Sequence, residues 1–205
     1  PMAYPKLVLS MFVLLRNDRV LQIRGMLGLF IFAVLGIFWS ALVFLLTQAP
    51  YELSHTIIGT FGLVGVAGAL AASRAGSWAD QGLGQRTTGA ALGLLILAWA
   101  ALWLAPWSLL WLVIGIVILD LGAQAVHVTN QSMIFSSPGH SHSRAVGCYM
   151  LFYAVGSGSG ALASTAVHAS FGWNGVCLLG AGVSLAALGF WAATLRHAPA
   201  TALPA

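Results

Sequence analysis

Forty-nine residues separate Arg24 from Arg74 without a lysine or arginine, 57 separate Arg86 from Arg144, and 51 separate Arg144 from Arg196. Each gap holds two helical spans of about 20 residues and a short turn, the length needed to cross a hydrocarbon layer of about 30 Å and return. The eight basic residues (Lys6, Arg16, Arg19 and Arg24; Arg74 and Arg86; Arg144; Arg196) therefore fall on one side. The positive-inside rule makes that side cytoplasmic, with both termini on it. Charged residues are 6% of the chain and mean hydropathy is +0.93, whereas soluble domains carry about 25% charged residues. The apolar runs are too uniform for membrane strands, which alternate over about 10 residues. The fold class expected is an all-α membrane protein, a six-helix transmembrane bundle. The basic pI near 9.6 implies no nucleic-acid partner, because the positive residues are confined to loops and ends beside the bilayer.

The spans are expected at about 23–46, 53–73, 87–104, 107–135, 145–168 and 173–195. The organisation is then a cytoplasmic segment over 1–22, with 7–15 in the membrane interface, a bundle over 23–197, and a cytoplasmic tail over 198–205. Trp103, Trp107, Trp111 and Trp173 fall near outer span ends, as an aromatic belt requires. Cys148 and Cys177 fall inside spans and read as buried free thiols. In the second span Gly59, Gly62, Gly65 and Gly68 recur every three residues. In the fifth, Gly156, Gly160 and Ser164 recur every four. Both patterns predict close packing between helix backbones.

The stretch 107–135 carries the chemistry. It is long enough to cross a bilayer and holds one acid, Asp120, near its midpoint. Gln124, His127 and Gln131 follow at offsets of four, seven and eleven, on the same helical face. Asn130 lies off that face and reads as a hydrogen bonder between helices. An ionisable group at such depth is costly and usually faces a bundle interior or a water-filled cavity. With no lysine or arginine expected inside the spans, Asp120 is the candidate for a group that gains and loses a proton. His127 is weighed against a satisfied polar core residue, and shares the stripe's face. His140 and His142 form an incomplete metal pair; no metal and no cofactor are expected. No phosphate-cradling loop is present to suggest an ATP-driven pump.

The loop Ala75 to Arg86 reads A-G-S-W-A-D-Q-G-L-G-Q-R. Its Gly76, Asp80, Gly84 and Arg86 resemble the cytoplasmic loop signature G-x-x-x-D-R-x-G-R-R of the major facilitator superfamily. Gln81 stands where that pattern has arginine, and one extra residue precedes the later glycine. The stretch L-D-L-G-A-Q-A-V-H-V-T-N-Q-S, then Ser143-Arg144, Tyr149-Met150 and Phe171-Gly172-Trp173, resembles the C-terminal half of drug- and sugar-efflux permeases of the arabinose-efflux-like branch.

The resemblance implies that the six spans are helices seven to twelve of a twelve-helix transporter. The chain would begin partway through a longer protein. The implied activity is proton-coupled efflux of a small organic solute by alternating access, in a bacterial inner membrane, without enzymatic turnover. The implied partners are the solute, protons, the lipid bilayer, and an N-terminal six-helix half or a homodimer mate. The loop would act as a cytoplasmic latch, with Asp80 favoured by the N-terminus of the third span. Two other classes remain open from the residues themselves: a membrane enzyme using Asp120 and His127 as an acid/base pair, although no nucleophile accompanies them, and a non-transporting membrane scaffold.

Overall fold

The computed structural model describes residues 4–136 and 142–195. His140, Arg196 and the tail 198–205 lie outside the described residues. Among those described there is no strand; the elements are α1 (Tyr4–Asn17), α2 (Arg19–Thr47), α3 (His55–Ala71), α4 (Ser73–Trp78), a π turn (Ala79–Leu83), α5 (Gly84–Trp103), α6 (Leu109–Phe135) and α7 (His142–Thr194). Helices α2, α3 and α6 each start at a residue able to satisfy an orphan N–H. Asp18, Ser54 and Ser108 accept from the backbone of Leu21, Ile57 and Leu110, respectively, as helix N-termini require.

Four helical stretches are long and apolar enough to cross a membrane: Arg19–Thr47, His55–Trp103, Leu109–Phe135 and His142–Thr194. The second and fourth have 49 and 53 residues, more than twice the ~20 that a bilayer core takes. Each contains one glycine outside helical geometry: Gly82 (φ 80°, ψ 3°) and Gly172 (φ 60°, ψ −158°). Positive φ at these points is open to glycine and strained for other residues. The chain reverses at both. Along α6, Gly68 lies against Val117 and Gly76 against Val128, whereas Gly115 faces Leu102 and Gly122 faces Ala91. The part before Gly82 therefore runs parallel to α6 and α5 runs antiparallel. Similarly, Tyr149 near the start of α7 and Trp191 near its end both reach one end of the bundle, through Asn130 and Gln85.

Helix α2 is the central element, buried on most of its circumference, as expected for a helix apolar all round. The first part of α7 lies along it with small residues at the seam. A Cβ at Gly156 would meet the carbonyl of Leu29, and one at Gly160 the carbonyl of Ala33. Ser164 donates to the Ile37 carbonyl at 2.7 Å. The part beyond Gly172 packs on α5, where Gly180 receives the Trp99 ring and Trp99 donates to Ser184 at 3.2 Å.

Three expectations change. Of the α3 glycines, Gly65 and Gly68 meet α6, while Gly59 and Gly62 have nothing within 4 Å. Three residues turn a helix by about 300°, so the row winds off the contact face. Trp173 is buried and donates to the Leu102 carbonyl at 2.8 Å instead of joining the belt, whereas Trp107 and Trp111 are exposed. Arg24 is not a loop cation: it sits inside α2 at 2% exposure.

Candidate functional site

Asp120 is 6% exposed, and its Oδ2 has no hydrogen-bond partner. Gly65 and Gly68 of α3 make its place. A Cβ at Gly65 would lie 2.8 Å from Oδ2, and one at Gly68 would lie 3.1 Å from the Asp120 Cβ. The carboxylate lines a cavity of about 540 Å³ between α2, α6 and the first part of α7, together with Gln124, His127, Trp39, Ser40 and Ser157. A buried carboxylate oxygen without a partner is costly in protein or lipid.

The structure divides the predicted stripe. Asp120, Gln124 and His127 share this cavity. Gln131, eleven residues on, instead lines a separate cleft of about 500 Å³ with Asp80, Ser132 and Phe135. There Ser132 donates to Asp80 Oδ1. This ties the loop to α6; α5 begins at Gly84 with no side-chain cap, so the helix N-terminus is not Asp80's contact. Gly76 lies against Val128 and Gly84 against the Met133 sulfur, which lets the loop lie close along α6. Arg86 is exposed. His142 packs edge-on to Phe135 with ring centroids 5.2 Å apart. Cys148 and Cys177 are buried free thiols. Among the described residues no group of three or more His, Cys, Asp or Glu comes together to hold a metal.

Sequence reasoning missed the polar core beneath the cavity. Arg24 donates from Nη1 to Thr88 Oγ1 at 2.9 Å and to Asn130 Oδ1 at 3.4 Å. Asn130 Nδ2 donates to the Tyr149 hydroxyl at 3.3 Å, and that hydroxyl lies 3.1 Å from His127 Nδ1. The chain of groups joins α2, α5, α6 and α7 and ends at a residue that lines the cavity. Asn130 does bridge helices, as its position off the stripe suggested. The available signal for Arg24 was Asp18: an N-cap there puts Arg24 in the second turn of a helix, followed by Gly25 and Gly28.

The described residues thus form a helical bundle with stretches long and apolar enough to cross a membrane and a buried carboxylate beside a cavity. The chain belongs to the Major Facilitator Superfamily, whose pattern matches residues 25–205. It is 42% identical over 188 residues to the "Uncharacterized transporter YgaY" of Escherichia coli O157:H7, covering 92% of this chain and 48% of that protein. It is 30% identical over 167 residues to the "Probable transporter SCO4007" of Streptomyces coelicolor, covering 78% of this chain and 37% of that protein. The chain thus spans about half the length of the curated relatives it matches, or less. Both of these relatives are named as transporters.

Proposed function

We propose that the chain is the C-terminal six-span half of a secondary transporter that moves a small organic solute outward in exchange for protons. The reversals at Gly82 and Gly172 support counting two spans in each of the long stretches, which gives six. The clustering of basic residues supports placing both chain ends on the cytoplasmic face of an inner membrane. The domain division of 1–22, 23–197 and 198–205 follows from it. An N-terminal half, rather than a second copy, best suits a chain that spans about half of its relatives, and alternating access needs two bundles moving about a shared site.

The observation that carries the reading is Asp120: a nearly inaccessible carboxylate with a free oxygen at the wall of a polar cavity. In the cycle it takes a proton when the cavity opens outward. It releases the proton when the cavity opens inward, and solute binding competes with reprotonation. Gln124 and His127 line the same cavity; Gln131 and Asp80 belong to the cytoplasmic cleft, where the loop bonded to Ser132 favours one conformation. The test is flux of solute driven by a pH gradient in proteoliposomes holding the full-length protein. Asp120→Asn, at matched protein content, should abolish the proton coupling of solute flux. Coupling at the wild-type level would reject the assignment and leave Asp120 a structural acid.

A further inference from the structure

We infer that Arg24 fixes the direction of the hydrogen-bond chain below the cavity, so that His127 offers its solute a set Nε2–H donor. The inference rests on the reading of the cavity as the solute site and adds what that solute must carry. A guanidinium has donors and no acceptor, so Thr88 and Asn130 can only accept from Arg24. Thr88 is consistent with this, because its own proton goes to the Gly84 carbonyl at 2.7 Å. The Asn130 amide is held in one orientation: turned over, its NH₂ would face the Arg24 donors. With Oδ1 toward Arg24, Nδ2 reaches the Tyr149 hydroxyl. That hydroxyl has one proton; accepting from Asn130, it gives the proton to His127 Nδ1, 3.1 Å away. The lone pair of His127 is then on Nδ1 and its proton on Nε2.

The surroundings hold this arrangement. Arg24, Thr88, Asn130 and Tyr149 are each at most 2% exposed, which leaves little room for water to reverse a bond. Gly28 makes space for the phenol, since a Cβ there would lie 2.9 Å from its oxygen. Phe32 packs edge-on to the imidazole with centroids 5.1 Å apart. Nε2 is the ring nitrogen that Tyr149 does not take, on a residue that lines the cavity. Asp120, seven residues earlier, supplies an acceptor about 10 Å away along the helix. The pair suits a solute with a donor or positive group at one end and a carbonyl, hydroxyl or ether oxygen at the other. Arg24 and Asn130 are positioning residues that act through His127.

The test is solid-state ¹⁵N NMR of histidine-labelled full-length protein in lipid, with the His127 signals identified by their loss in His127→Gln. The wild type should show the Nε2–H tautomer. Asn130→Asp removes the N–H that reaches Tyr149 and gives it an acceptor instead, so Tyr149 turns its proton away and His127 should invert to Nδ1–H. Arg24→Met frees the Asn130 amide and should give both tautomers, while Arg24→Lys, still a pure donor, should restore Nε2–H. An Nδ1–H or doubly protonated ring in the wild type at neutral pH overturns the inference, and so does an Asn130→Asp spectrum unchanged from wild type. Tautomer inversion alongside a failed Asp120 flux test would remove the solute reading and leave the chain standing. Intact Asp120 coupling without inversion would remove the chain alone.

Discussion

Gly158 and Gly160 stand two apart in one G-S-G-S-G run and differ in what lies opposite them. A Cβ at Gly158 meets nothing within 4 Å, whereas one at Gly160 runs into the backbone of Ala33 on α2. Backbone cannot move aside as a flexible side chain does. Gly158→Ala should therefore be neutral or raise stability by up to about 1 kcal/mol through helix propensity. Gly160→Ala should cost about 1–3 kcal/mol through overpacking. Thermal unfolding of the two variants in detergent checks the difference, and equal effects would deny the α2–α7 seam. The same scale shows what could be read from the chain. Asp120, Gln124 and His127 lie on one helix, so their common face follows from helical spacing alone. Arg24 could not be placed that way, because Thr88, Asn130 and Tyr149 come from three other segments and no spacing links them. The positive-inside argument also pulled Arg24 toward the surface.

Among elements, the loop through Gly82 shows how far a motif carries. Gly76, Asp80 and Gly84 mark a close-lying loop, and Gly76 and Gly84 do meet α6. The sequence placed Asp80 at a helix N-terminus because the next span follows it. Its contact is instead Ser132, which a π turn and a left-handed Gly82 bring within reach. If this contact is the latch, Asp80→Asn and Ser132→Ala should alter transport in the same direction in the full-length protein, and the double variant should do little more than either single one. Additive effects would mean that the two residues act separately. The limits of α2, α3, α5 and α6 were largely legible from hydrophobic runs and turn residues such as Pro106. The continuity of α7 was not, since only the backbone shows that a single residue, Gly172, departs from helical geometry between two apolar stretches.

At the scale of the whole molecule, Leu63, Leu70, Leu151, Val155 and Leu162 turn outward while Asp120 and Tyr149 turn in. This is the arrangement of a bundle whose outside meets lipid or another bundle and whose interior keeps its polar groups together. The central claim is that the cavity at Asp120 is wetted while the faces beside it are dry, and it can be tested before any solute is known. Ser157 lines the cavity, and Leu162, on the same helix, is 76% exposed on an apolar face. Within this chain the two thiols, Cys148 and Cys177, are buried and give little background. In full-length protein in membranes, a water-soluble, charged thiol reagent should modify Ser157→Cys faster than Leu162→Cys by roughly tenfold or more, because a thiolate forms in water and not in hydrocarbon. Equal inertness of the two cysteines, with an exposed loop cysteine reacting normally, would contradict the account.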